Sequence, residues 1–217
     1  MTPRISPKLI KGLFFLSIFV LFCNVLWCAE ENYYIENLAA YRHEFASDED
    51  ENIFIDKVSI KNLCRYNYGG AQFEIFPFLE ARRHFEINRW YLSTIGIDLS
   101  ATCFKYLSFD NSLQYSQIDV PDGYFKKVRL KKDRFELKSA LTLNLPLFKI
   151  YGMSPYLSAT NEFFYDIEHG EPLRNEIGVG LRFPINERID IGCAWRHLDW
   201  VKDFDSDQVE ISAIIVI

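Results

Sequence analysis

The chain has 217 residues, 49% of them hydrophobic and 25% charged, with a formal net charge of −6 and a mean hydropathy of −0.07. Ten Gly and 8 Pro exclude collagen-like and low-complexity chains, and the apolar content is too high for intrinsic disorder. The 19 Phe, 12 Tyr and 4 Trp make up 16% of the residues, a load that fits near-zero hydropathy only if apolar and polar residues are closely interleaved.

The one long apolar run is Leu13 to Cys28, preceded by Arg4, Lys8 and Lys11. A basic stretch followed by an apolar one of this length has the pattern of a secretory signal peptide. Residues 1–29 are accordingly read as a leader and 30–217 as the mature domain. The alternatives are an uncleaved membrane anchor, since the run approaches the roughly 18 residues of a spanning helix, and a lipoprotein acylated at Cys23 or Cys28. Phe22 and Trp27 stand where lipoprotein processing wants a small residue. Without the leader the chain keeps 21 basic against 30 acidic residues, a net charge of −9. An acidic surface repels nucleic acid, so no nucleic-acid partner is expected. Cys64, Cys103 and Cys193 remain, with no CxxC or Cys/His spacing for zinc or redox chemistry. They read as small packing residues, or as one disulfide and a spare thiol in an oxidising compartment.

Beyond the leader the sequence alternates with period two. Stretches read as strands lie at 33–46, 52–66, 71–81, 88–101, 104–118, 133–146, 152–166, 173–183, 187–200 and 206–217. The segment 33–46 would serve equally as a short amphipathic helix. In 107–116, Leu107, Phe109, Leu113 and Tyr115 share one parity and Ser108, Asp110, Ser112, Gln114 and Ser116 the other. In 134–145, Phe135, Leu137, Leu141, Leu143 and Leu145 oppose Arg134, Glu136, Lys138, Thr142 and Asn144. The split recurs in 176–183 and 188–197.

The connections alternate in length and polarity. Those at 47–51, 82–87, 119–132, 167–172 and 201–205 are polar or charged, while 67–70, 102–103, 147–151 and 184–186 are short. Short turns on one side, longer polar loops on the other, and an even strand number describe an up-and-down antiparallel barrel of the outer membrane. Strands of roughly 11 to 15 residues also exceed the ~9–11 that a tilted membrane strand needs. The fold expected is therefore an all-β, up-and-down antiparallel transmembrane β-barrel of about 10 strands (8–12). Aromatics near strand ends, among them Tyr33, Tyr66, Phe104, Tyr165, Trp195 and Trp200, fit interfacial girdles. A secreted soluble barrel of lipocalin type is the rival, in which the apolar parity would point inwards.

From Ser154 onward, a Pro-Tyr strand leads to Glu162-Phe163-Phe164-Tyr165. Arg174-Asn175 then opens a Gly-alternating strand, and a further strand ends in an aromatic. These last 60 or so residues resemble the uncharacterised bacterial outer-membrane barrels grouped as domain of unknown function 2490. The resemblance implies the barrel fold and the outer membrane, with no activity to carry over. Ile217 departs from the terminal aromatic that such barrels commonly present to the assembly machinery.

Lipid-cleaving outer-membrane barrels carry a nucleophilic Ser two residues after a His, so that both share a strand face. Here the residues two beyond His43, His84, His169 and His197 are Phe45, Glu86, Glu171 and Asp199. No catalytic centre, cofactor site or metal site is identified, although a triad assembled from different strands would leave no trace in spacing. The polar parity instead offers Glu162, Arg174, Glu176, Arg182 and Arg196 as a lumen charge network. Such a network reads either as filling for a narrow barrel, since about 8 strands leave room only for side chains and open porins use about 16–18, or as the lining of a narrow charged pore or ligand pocket. Lys126, Lys127, Arg129, Lys131 and Lys132 form a basic run that would meet lipopolysaccharide phosphates on an outer leaflet, or simply a solvated loop. The partners expected are outer-membrane lipid and lipopolysaccharide, and the barrel-assembly machinery during biogenesis, with a monomeric barrel as the product. The function expected is that of an integral outer-membrane barrel acting as a structural or binding barrel or a narrow channel. A lipid-acting outer-membrane hydrolase is the alternative.

Overall fold

The computed structural model describes residues 33–45, 51–85, 88–104, 106–119, 133–149, 153–201 and 205–217. The expected leader, the basic run at 126–132 and most of the acidic loop at 47–51 lie outside them.

Among the described residues eleven strands follow one another and no helix occurs. They are β1 (Tyr34–Phe45), β2 (Glu51–Lys61), β3 (Cys64–Tyr68), β4 (Ala71–His84), β5 (Arg89–Cys103), β6 (Leu107–Ile118), β7 (Asp133–Pro146), β8 (Tyr156–Asp166), β9 (Glu171–Pro184), β10 (Ile189–Trp200) and β11 (Ser206–Val216). Each pairs antiparallel with its neighbours, and β1 pairs with β11 as well as with β2. The circuit closes because β2 also pairs with β4. Short β3 prolongs the line of β2 beyond an interruption at Asn62 and Leu63, where Asn62 adopts a left-handed φ of 60° and its N–H donates to the Glu74 carboxylate. The barrel thus has ten staves, and the segment read as strand or helix at 33–46 forms strand β1, Tyr34–Phe45.

Ten staves place the start of β1 and the end of β11 at one rim, the terminal rim. Its turns are Gly69–Gly70, 104–106, 147–155 and 185–188, and the opposite, far rim carries 46–50, 85–88, 119–132, 167–170 and 201–205. Gly69 and Gly70 have φ of 58° and 83°, the pair of positive values that a two-residue turn matched to strand twist demands. At 185–188 the Asn186 side-chain oxygen accepts from the backbone N–H groups of Arg188 and Ile189, at 2.8 and 2.9 Å, closing the turn locally. The connection after β7 is longer than the expected 147–151, because β8 starts at Tyr156. Pro155 has no N–H to donate to a ladder, so the strand opens one residue later, with Leu147 N–H donating to the Pro155 carbonyl at 2.8 Å.

The sidedness of the wall is the reverse of a soluble protein's. Leu79, Leu99, Leu141, Val179, Ile191 and Ile211 are exposed, Leu79 and Ile211 by nearly 60%, whereas Glu136, Asp98, Gln114, Arg134, Arg174 and Glu176 are buried. On β7 the burial follows the expected parity, with Leu137, Leu141, Leu143 and Leu145 outside and Glu136 and Ala140 inside. Phe135 shares the outward parity but is buried. The lipocalin-type arrangement, which needs the apolar parity inside, is overturned by this wall.

Candidate functional site

The lumen is where the polar parity of all ten staves converges. Its centre is an ion cluster built on Arg196 of β10. That guanidinium lies 3.4 Å from Glu162 of β8, 3.6 Å from Glu176 of β9 and 3.1 Å from Glu210 of β11. Each of these carboxylates has a second cation at 2.7 Å: Lys138 for Glu162, Arg174 for Glu176 and Arg42 for Glu210. Three anions and four cations therefore alternate across six staves, with Glu176 only 2% exposed. Isolated, any one of these charges would be expensive to bury; paired and hydrogen-bonded, each becomes tolerable. Inward Gly178 makes room for the cluster, since a Cβ there would sit 2.6 Å from the Thr160 hydroxyl and 3.5 Å from the Arg196 chain.

Around this centre the other staves add smaller pairs. Lys57 meets Asp98 at 3.1 Å, and Asp98 also accepts from the Ser112 hydroxyl. Glu80 meets Arg82 at 2.7 Å, and Glu136 accepts from Gln114 at 2.7 Å beside Arg134 at 3.5 Å. Aromatic rings fill the gaps. The Lys57 ammonium stands 4.0 Å from the Phe78 ring centre and the Arg174 guanidinium 3.7 Å from that of Phe164, where ring faces attract cations.

The two halves of the lumen differ. Toward the far rim the inward side chains are sealed: Ala40, Ile53, Ile55 and Tyr91 form an apolar cluster. His84 beside it is wholly buried, 6.0 Å from the Tyr91 ring and 3.4 Å from Glu51. Toward the terminal rim, inward Thr142, Asn144, Ser158, Thr160 and Gly180 are all partly exposed. The inner wall is therefore partly exposed toward the terminal rim on β7–β9, while Ser59, Glu74, Phe76, Phe78 and Asp98 on β2, β4 and β5 are buried at that end.

Of the residues expected to form a lumen network, Glu162, Arg174, Glu176 and Arg196 belong to one connected cluster. Arg182 stands apart near the terminal rim, paired with Asp190 at 3.1 Å. Arg42, Lys138 and Glu210 belong to the cluster and escaped the sequence reading. Parity alone would have assigned their faces, but Arg42 and Glu210 are 168 residues apart and meet only through the closing β1–β11 pair. Lys126, Lys127, Arg129, Lys131 and Lys132 lie outside the described residues.

On the outer wall, His197 and Asp207 pair at 3.0 Å near the far rim, and among the described residues no serine hydroxyl is hydrogen-bonded to them. Of the wall serines, Ser139 donates to Asn111 at 2.8 Å on another face, and Ser93 is exposed on β5. Cys64 and Cys193 are exposed and Cys103 partly so, all as free thiols. No group of metal-ligating side chains is found among the described residues.

No protein-family model matches the sequence, and no curated protein is similar to it. Solved structures similar in fold include the translocator domain of the autotransporter NalP from Neisseria meningitidis, at 8% identity over 94% of this chain and 97% of that one, with a TM-score of 0.45. The β domain of the Bordetella autotransporter BrkA follows at 6% identity, 85% and 99% coverage, and 0.44. The KdgM porin gives 9%, 82% and 98%, and 0.43.

Proposed function

We propose that this chain is an integral barrel of the outer membrane that serves as a structural or binding barrel and conducts nothing through its lumen at rest. The observation that carries the reading is the inverted wall, apolar outside and charged within, combined with a lumen packed shut toward the far rim. An exposed apolar band this extensive suits a hydrocarbon phase and would be a liability in water. In this reading the terminal rim is the periplasmic one, where outer-membrane barrels carry tight turns such as those at Gly69–Gly70 and 185–188. Export through a cleaved leader, insertion by the barrel-assembly machinery, a monomeric state and contact with lipopolysaccharide through the basic run complete the reading. Kinship with the barrels of domain of unknown function 2490 rests on the Ser154–Trp195 pattern. Membrane fractionation with heat-modifiable gel mobility tests the placement, and recovery in the soluble periplasmic fraction would refute it. Planar-bilayer recording tests the closed lumen: the intact barrel is expected to stay silent, and steady conductance would sink that part.

A further inference from the structure

Toward the terminal rim the lumen has a wall of distinct chemistry, separate from the ion cluster beneath it. Inward Thr142, Asn144, Ser158 and Thr160 on β7 and β8 are partly exposed there, whereas Gly180 and Gly192 on β9 and β10 are closely packed against β10 and Arg182. At the mouth, three adjacent staves fix one polar triad. The Tyr156 hydroxyl donates to Asp190 Oδ2 at 2.8 Å, and Arg182 Nε donates to Asp190 Oδ1 at 3.1 Å. The Arg182 side chain packs over Gly192, where an added Cβ would come within 3.2 Å of Arg182 Nη1 and 3.3 Å of its Cγ. A larger residue at 192 would displace the Arg182 side chain. The Arg182 and Asp190 side chains remain 17% and 20% exposed, so water, and a solute, can reach both.

We propose that this vestibule binds a neutral, hydroxyl-rich small molecule of the saccharide or polyol class, entering from the terminal rim. The proposal rests on the reading of the chain as a binding barrel and names what it binds. Its chemical basis is balance. A guanidinium offers donors only and a carboxylate acceptors only, whereas Ser158, Thr142 and Asn144 offer both. A sugar presents alternating donors and acceptors without net charge, and meets all of them without leaving a buried charge unpaired. An anion would face Asp190 and, on β6, Asp110; a cation would face Arg182. An apolar molecule would strip water from hydroxyl and amide groups with nothing to replace it. The pinned geometry also lowers the ordering cost, because the triad is already held before any ligand arrives.

The full-length barrel, purified in a zwitterionic detergent that carries no sugar head group, is titrated calorimetrically. The neutral probes are maltotriose, raffinose and diacetylchitobiose; the charged ones are glucose 6-phosphate and spermidine. At least one neutral saccharide is expected to bind more tightly than either charged probe. Asp190→Asn should weaken that binding about tenfold, the loss of charge-assisted hydrogen bonding. Ser158→Leu, which narrows the mouth without touching the triad, should abolish it. Heat-modifiable mobility of both variants shows that they fold. Absence of binding by all three saccharides, preference for a charged probe, or unchanged affinity in the folded variants would overturn the proposal. Failure of the barrel reading appears separately, as a protein that is not heat-modifiable or that conducts.

Discussion

Arg196→Met tests whether the lumen cluster is a packed element or a loose, hydrated set of charges. The substitution keeps a long unbranched side chain and removes the one group that touches Glu162, Glu176 and Glu210 together. Breaking a buried ion pair by deleting one partner costs about 3–5 kcal/mol. Each carboxylate here keeps its own cation at 2.7 Å, in Lys138, Arg174 and Arg42, so the cost should fall near the lower figure, about 3 kcal/mol. Arg174→Met should cost more. It leaves Glu176 with Arg196 at 3.6 Å and Arg42 at 4.0 Å, and it also removes the contact with the Phe164 ring. Urea unfolding of the barrel in lipid vesicles, followed by tryptophan fluorescence, reads both. With an m-value of about 1–3 kcal/mol per molar urea, a 3 kcal/mol loss lowers the midpoint by roughly 1–3 M. The double variant Arg196→Met with Glu210→Gln should recover part of the loss, because the residues share one cluster and their effects cannot add. Equal midpoints for Arg196→Met and the unaltered barrel, or strict additivity in the double variant, would refute the view that these charges are buried and interdependent.

Three further outcomes follow from the same geometry. Leu141→Arg places a charge on the exposed apolar wall and should destabilise the vesicle-inserted barrel by about 2–4 kcal/mol if that wall faces hydrocarbon, whereas Thr142→Ser, one residue along and facing inwards, should change the unfolding midpoint little. Gly70→Ala forces a Cβ onto a backbone at φ of 83° and should cost about 1 kcal/mol, seen as a lower urea midpoint with unchanged mobility of the folded band. A water-soluble maleimide should label Cys193, on the apolar wall of β10, slowly in the vesicle-inserted barrel and rapidly after denaturation; equal rates before and after denaturation would place that wall in water.

Most of the staves were legible because strand formation with one wet and one greasy face writes itself into alternate residues. Leu137, Leu141 and Leu143 against Glu136 and Lys138 declare a sheet surface whatever lies further along the chain, and the Gly69–Gly70 turn declares a hairpin. Local signals were weaker where the backbone departs from the regular ladder. The break at Asn62–Leu63 follows a left-handed residue that no alternation announces, and β8 begins late because Pro155 cannot donate. Which face is the inside was not a local property at all: the same alternation would build a soluble barrel with its leucines inwards. Closure of β1 on β11 and of β2 on β4 decided that, along with the meeting of Arg42 with Glu210 and the separation of Arg182 from the central cluster. The sequence by itself determined the period, the approximate staves and the chemistry of each face. The tertiary structure decided which charges become partners, because cross-strand neighbours are set by register around a closed ring and not by distance along the chain.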